Sequence, residues 1–179
     1  MKLETERLIL RPWEMSDVED MVEGLNEFEV GKNLTTPYPY SKEDAEYFIQ
    51  NFAQHDGKHC NFAIVLKSTG KAIGGTEASL TDGKVTGGIW LNKDYHGFGY
   101  GSEAFLARIE YAFEILGVNE IENGFFDFNQ KSWNMQRKLG YEIVGETKNF
   151  SPALGKEVRE VVTCLTKANY YKMKKNSFK

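Results

Sequence analysis

Residues 95–104 read Tyr-His-Gly-Phe-Gly-Tyr-Gly-Ser-Glu-Ala, with glycine at 97, 99 and 101. An apolar run, Ile89-Trp90-Leu91, and a polar turn, Asn92-Lys93-Asp94, precede it. After it Phe105, Ile109, Ala112, Phe113 and Leu116 recur at three- and four-residue steps, the spacing of a helix. The order is strand, glycine loop, helix. Three glycines in five residues cost stability unless the chain needs positive φ or close backbone approach there. Such a loop points several N–H groups one way, and the helix adds unpaired N–H groups and its positive dipole end. Together they predict an anion site, with phosphate as the usual anion. The Walker pattern is excluded, because no Lys-Ser or Lys-Thr follows the glycines. The dinucleotide pattern is not met either. Its last position holds Ala104, and no clear βαβ unit with a later acidic residue surrounds the loop.

The rest of the 179-residue chain predicts an α+β fold: a mixed, mostly antiparallel twisted sheet with helices on both faces, in a three-layer-like stack. Residues 7–13 read as a strand. Ser16 with Glu19 reads as a capping box for a helix over 16–25, and Ser41 with Asp44 opens a second helix. Residues 61–66 and 71–80 form a hairpin, Asp82-Gly83 a tight turn, and 84–91 the next strand. The helix after the glycine loop stops at Gly117. A strand spans 120–128, a helix 129–139 stops at Gly140, and strands follow over 141–144 and 158–165. Residues 1–168 read as one domain and 169–179 as a polar, lysine-rich tail. A ligand on the loop is expected where neighbouring strands splay.

Hydrophobic residues make up 41% and aromatics 13%, enough for a real core. A net charge of −4 argues against nucleic-acid binding driven by backbone electrostatics and is compatible with a cationic partner. Cys60 and Cys164 lie far apart and read as reduced, mostly buried thiols, and His55 and His59 lack a further metal ligand at useful spacing. No apolar run approaches the ~20 residues needed to span a bilayer, and residues 1–7 lack a signal-peptide core, so a cytoplasmic protein is expected.

His96-Gly-Phe-Gly-Tyr-Gly101, with Ser102-Glu103-Ala104, resembles the acetyl-coenzyme A signature of the GNAT N-acetyltransferases, [QR]xxGx[GA]. The opening Glu-Thr-Glu-Arg-Leu-Ile-Leu-Arg-Pro-Trp resembles the start of that family's Rim-type branch, which contains enzymes that acetylate ribosomal-protein N-termini. Asn129-Gln-Lys-Ser132 through Lys138-Leu-Gly-Tyr141 resembles the branch's second signature, NxxSxx…KLGF. The resemblance spans about residues 3–166 and departs at His96, where the family has Gln or Arg. A neutral histidine can donate one hydrogen bond there and a protonated one adds charge; the alternative is a loop histidine facing water.

The resemblance implies the GNAT acyl-CoA N-acyltransferase fold, acetyl-CoA as donor, and a primary amine as acceptor, either a protein N-terminus or a small molecule. It implies direct attack with no covalent enzyme intermediate, in a monomer or homodimer without nucleic acid or membrane. Backbone N–H groups around Gly97 and from Phe98 through Gly99, Tyr100, Gly101 and Ser102 would hold the pyrophosphate. Ile89, Trp90 and Leu91 would pair with the pantetheine arm and offer an N–H to the thioester oxygen. Asn129 would bond the pantetheine, cap a helix, or do both. Ser132 would lie near the sulfur and protonate the departing thiolate, or be an ordinary helix serine. Many relatives outside the branch use a tyrosine four positions on, where this chain has Gln136. Tyr141 reads as core. Glu77 is the first candidate for the base, with Asp127 and Glu103 as alternatives, although Glu103 also fits as first-turn helix charge. Tyr38, Tyr40 and Trp90 are expected to line the acceptor side or pack in the core. The alternative function is a non-catalytic acyl-CoA-binding module or sensor.

Overall fold

The structure is a computed structural model that describes residues 1–53 and 55–176. In chain order it runs β1 (Leu3–Glu4), β2 (Leu8–Pro12), α1 (Val18–Leu25), α2 (Phe28–Gly31), α3 (Lys42–Asn51), β3 (His59–Leu66) and β4 (Ala72–Thr81). It continues through β5 (Lys84–Thr86), β6 (Ile89–Leu91), α4 (Tyr100–Glu110), β7 (Glu120–Phe126), α5 (Gln130–Lys138), β8 (Glu142–Ser151), β9 (Lys156–Thr166) and α6 (Lys167–Asn176). One mixed sheet orders its strands β1-β2-β3-β4-β5-β7-β9-β8, with β6 also on β4. Every pairing is antiparallel except β5 with β7, as expected for the crossover through α4.

Alternation along the strands divides the core between two faces. Leu8, Leu10, Phe62, Ile64 and Ile73 pack on Phe105 and Ile109 of α4. Trp13, Ala63, Val65 and Ala72 pack on Val18 and Met21 of α1 and Ala45 of α3. Among the described residues no helix is long and apolar enough to cross a membrane.

Local signals placed most boundaries. Ser41 and Asp44 form the expected box at α3, and Asn129 caps α5 by accepting from the Ser132 N–H. Gly117 and Gly140 take positive φ where the helices stop. Three expectations are corrected. The first capping box is Glu14 with Asp17, around a short 3-10 turn at Met15–Asp17, so Ser16 is not the cap. Strand β8 is far longer than residues 141–144. It is an edge strand exposed along most of its length, so no buried alternation marks it.

The third correction concerns the lysine-rich tail, which over Lys167–Asn176 is helix α6. Tyr170 is 4% exposed, its ring 5.5 Å from Phe113, and its hydroxyl donates to Glu110 Oε1 at 3.1 Å. Lys172, Lys174 and Lys175 stay exposed, which is why composition alone read as a tail. Residues 177–179 of that expectation lie outside the described residues.

Candidate active site

Strands β5 and β6 keep one register against β4 and are separated by Gly87-Gly88. Gly87 sits at φ 134°, and a Cβ there would run into the Glu77 carbonyl. Pairing with β7 ends at Val85 opposite Ile121, so the edge of β6 diverges from β7. The fully buried Arg108 bridges the fork, donating from Nη2 to Gly87 O at 3.2 Å and to Asn123 Oδ1 at 3.0 Å. Its Nε and Nη1, Asn123 Nδ2 and the Tyr141 hydroxyl are buried without a partner among the described residues. Burial pushes the guanidinium pKa down, against the nearby Tyr141 and Glu77. Tyr141 is core, as expected, 3% exposed.

The fork opens into a cleft of about 990 Å³. On the α4 and α5 side it is lined by His96, Gly97, Gly99, Gly101, Ser102, Asn129 and Ser132, with Ile89, Trp90 and Leu91 along one wall. The two segments carrying the family resemblance therefore meet in one cavity. Gly97 and Gly99 take φ of 85° and 84°, and Gly99 caps α4. Among the described residues, none of the N–H groups of residues 97–102 donates to a protein acceptor. This is the chemistry of an anion cradle at a helix start. The free edge of β6 supplies further backbone donors and acceptors beside it.

Phe98 and Tyr100 are not among the residues that line the cleft. Phe98 is 63% exposed, and the Tyr100 ring lies 4.4 Å beneath the Arg7 guanidinium. Arg7 is a site residue that sequence reading missed, because its partner is 96 positions away. It donates from Nη1 to Phe98 O at 2.9 Å and from Nε to Glu103 Oε2 at 2.7 Å. Glu103 also accepts from the Arg7 N–H and, at 2.5 Å, from Thr5 Oγ1. It buttresses the loop and is not placed as a base. Burial would raise the Glu103 pKa, but the bonds from Thr5 and Arg7 outweigh it and hold the group below its usual value.

A depressed folded pKa stabilises the fold fully above the unfolded value near about 4.3, and that stability is lost as pH falls through the folded value. The wild-type melting temperature is therefore expected to fall more steeply than that of Glu103→Gln between about pH 5 and pH 2. Parallel curves from the two proteins would remove Glu103 from the clamp.

The His96 Nε2 lies 2.9 Å from Leu91 O, and a carbonyl only accepts, so this nitrogen carries the proton. The one donor of a neutral imidazole is thereby spent on the protein. That corrects the expectation that neutral His96 has a hydrogen bond to offer a phosphate; only the protonated ring has a second donor, at Nδ1.

At the cap of α5, Asn129 lines the cleft and its Oδ1 accepts from the Ser132 N–H at 3.2 Å. Ser132 Oγ accepts from Gln136 Nε2 at 3.0 Å, and Gln136 Oε1 accepts from Thr163 Oγ1 at 2.5 Å. Gln136 is 2% exposed. Because Gln136 donates to Ser132, the serine hydroxyl keeps its own proton free. A position that cannot itself serve as an acid thus orients one that can.

Residues from both faces of the sheet line the cleft. Its other side is lined by Leu34 and Thr35 after α2, by Gly124 of β7, Thr147 of β8 and Glu160 of β9, and by Trp90. Trp90 stacks on Trp13 at 6.2 Å, so it is both core and wall. Tyr38 and Tyr40 are not among the lining residues. The Tyr40 hydroxyl sits 3.6 Å from Met21 Sδ, and its pKa is pushed up to about 12 by burial, with Asp44 adding to it. The Tyr38 hydroxyl reaches Asn26 O at 3.4 Å, and its ring packs over Gly31. Glu77 is not among the lining residues but borders the fork, as expected: its N–H donates to Gly88 O at 3.0 Å, and its carboxylate accepts from Ser79 Oγ at 2.5 Å. Asp127 is exposed and outside the lining.

Comparison with known proteins bears on this geometry. Residues 7–142 match the family model described as an acetyltransferase (GNAT) domain. An uncharacterized N-acetyltransferase of Bacillus licheniformis, p20, is 29% identical over 174 residues, covering 94% of this chain and 97% of the relative. A second, YnaD of Bacillus subtilis, is 27% identical over 154 residues, covering 85% and 89%. Among solved structures, a GNAT-family acetyltransferase from Bacillus anthracis superimposes with a TM-score of 0.79 at 24% identity, covering 93% of this chain and 98% of that one. The ribosomal-protein-S5-alanine acetyltransferase of Vibrio fischeri gives 0.79 at 20% identity, covering 95% and 98%.

Proposed function

The chain belongs to the GNAT acetyltransferase family, an acetyl-transferring class of enzyme, and from that premise we propose that it moves the acetyl group of acetyl-CoA directly onto a primary amine. The observation that carries this reading is the cleft lined from both faces of the sheet. Its lining runs from the N–H cradle past a hydroxyl with a free proton to residues of the opposite face, where an acceptor would enter. The donor fits the α4 and α5 side. The N–H groups of residues 97–102 suit a pyrophosphate, the free edge of Ile89–Leu91 suits the amides of pantetheine, and Asn129 Nδ2 suits a carbonyl there.

In the reaction the neutral amine nitrogen forms the new C–N bond and the C–S bond breaks; the nitrogen gives up one proton to water, and the thiolate takes one from Ser132, which water reprotonates. Ser132 holds that proton, with Gln136 and Thr163 fixing the direction in which its hydroxyl donates. A backbone N–H of β6 stabilises charge on the thioester oxygen. Neither cysteine is needed: Cys60 is buried against Tyr111 at 3.2 Å, and Cys164 is outside the cleft lining. A direct base is also dispensable for an α-amine, whose pKa near 7.7–8.0 leaves a neutral fraction at pH 7. That chemistry supports the Rim-type reading, in which the acceptor is a protein N-terminus; a small amine is the other acceptor compatible with the same cleft.

Titration with ligands and a thiol-release assay test the proposal. Acetyl-CoA is expected to raise the melting temperature while ATP and NAD do not. Coenzyme A is expected to appear only when an amine is present, faster as pH rises toward the amine's pKa. Tight acetyl-CoA binding with no release on any peptide or small amine would instead mark an acyl-CoA sensor.

A further inference from the structure

Three carboxylates line the cleft, Glu29, Glu122 and Glu160. Glu29 is paired with Lys32 at 2.7 Å, and Glu122 lies 3.7 Å from Lys84. Glu160 has no Lys, Arg or His partner among the described residues. It is nevertheless held in place. Asn149 Nδ2, on β8, donates to its Oε2. Register puts Glu160 opposite Phe126 on one side and Thr147 on the other, so its side chain shares their face of the sheet. There it leans across Gly124. A Cβ at 124 would collide with Glu160 Oε1, so the glycine makes the notch that lets the carboxylate lie along the cleft. Gly124 does not take positive φ, so backbone conformation is not what requires glycine at this position.

A half-buried carboxylate that is oriented but not neutralised favours a cation beside it. The proposed reaction brings one: a primary amine arrives mostly as an ammonium, since amine pKa values lie near 8 for an α-amine and about 10.4 for a lysine. We infer that Glu160 is the acceptor-docking residue, receiving the ammonium of the incoming amine on its Oε1 over Gly124 and selecting cationic amines over neutral nucleophiles; the docked ammonium then loses a proton to water before its nitrogen attacks. This rests on the acetyltransferase reading above. Glu160 enters from the face opposite the glycine loop, so amine and donor approach the fork from opposite sides of the sheet. It lines the acceptor side, where Tyr38 and Tyr40 were expected and are not among the lining residues.

The test is steady-state kinetics on Glu160→Gln and Gly124→Ala, with a peptide bearing a free N-terminus and with butylamine. Both variants are expected to raise KM for the amine at least tenfold and to leave acetyl-CoA affinity as in the wild type. Unchanged amine KM in both overturns the docking role while leaving the acetyltransferase reading intact. Should the wild type release no coenzyme A with any amine, that reading fails instead. The docking role is then read from thermal shifts with butylammonium: a shift lost in Glu160→Gln supports it, and equal shifts overturn it. Retained acetyl-CoA affinity shows that each variant is folded.

Discussion

Gly99→Val is expected to weaken acetyl-CoA binding by about 10- to 100-fold. Gly99 sits at φ 84°, where a β-branched residue is an outlier. Such strain costs about 1–3 kcal/mol, and about 1.4 kcal/mol is tenfold in affinity. A Cβ there would also stand 3.3 Å from Arg7 Nη2, the guanidinium that ties the loop to Glu103. The loop escapes both by leaving the left-handed region, which turns the N–H groups of residues 97–102 away from a common point. Gly155→Val is the control. That glycine has φ 64°, open space around it and a place in the β8–β9 turn, so the same strain arises away from the cleft. Calorimetric titration of both checks the expectation. Equal affinity for wild type and Gly99→Val would remove the loop from the donor site.

Ser132→Ala is expected to lower kcat by about 10²-fold, the low end of the range for a general acid, with acetyl-CoA affinity unchanged. The low end applies because a thiol with a pKa near about 8.5 leaves readily as thiolate. Gln136→Glu sharpens the test without touching the serine. Gln136 now donates to Ser132 Oγ, so the hydroxyl proton is free. A carboxylate at 136 only accepts, and it would draw that proton toward Thr163 and away from the cleft. Both variants should therefore lose turnover at constant donor affinity. Full turnover in Ser132→Ala would show that the thiolate is protonated by solvent.

How much of this was legible in the sequence depended on how local each signal was. The glycine loop, the Asn129 cap and Ser132 are carried by runs of a few residues, and the helix between loop and β7 has a plain period. Their convergence in one cleft follows from the crossover through α4. What stayed hidden depends on register between distant strands. Glu160 reaches the cleft only because β9 pairs with β7 so that its side chain crosses Gly124. Glu77 borders the fork from β4, its N–H on Gly88 O, but its pairing with Ser79 was not readable from the sequence. The Arg7–Glu103 clamp joins residues 96 positions apart, and Tyr40 is apolar enough to be drawn under α1 instead of facing the site. Lysine-rich composition likewise concealed α6, whose one buried tyrosine decides its docking.

The most direct measurement is the stoichiometry of a single turnover with acetyl-CoA labelled in its acetyl group and a peptide bearing a free N-terminus. The proposed reaction predicts one labelled amide on the peptide for each coenzyme A thiol released, with no label on the protein at any time. Thiol release without a labelled amine, or label held covalently by the protein, would contradict direct transfer through this cleft.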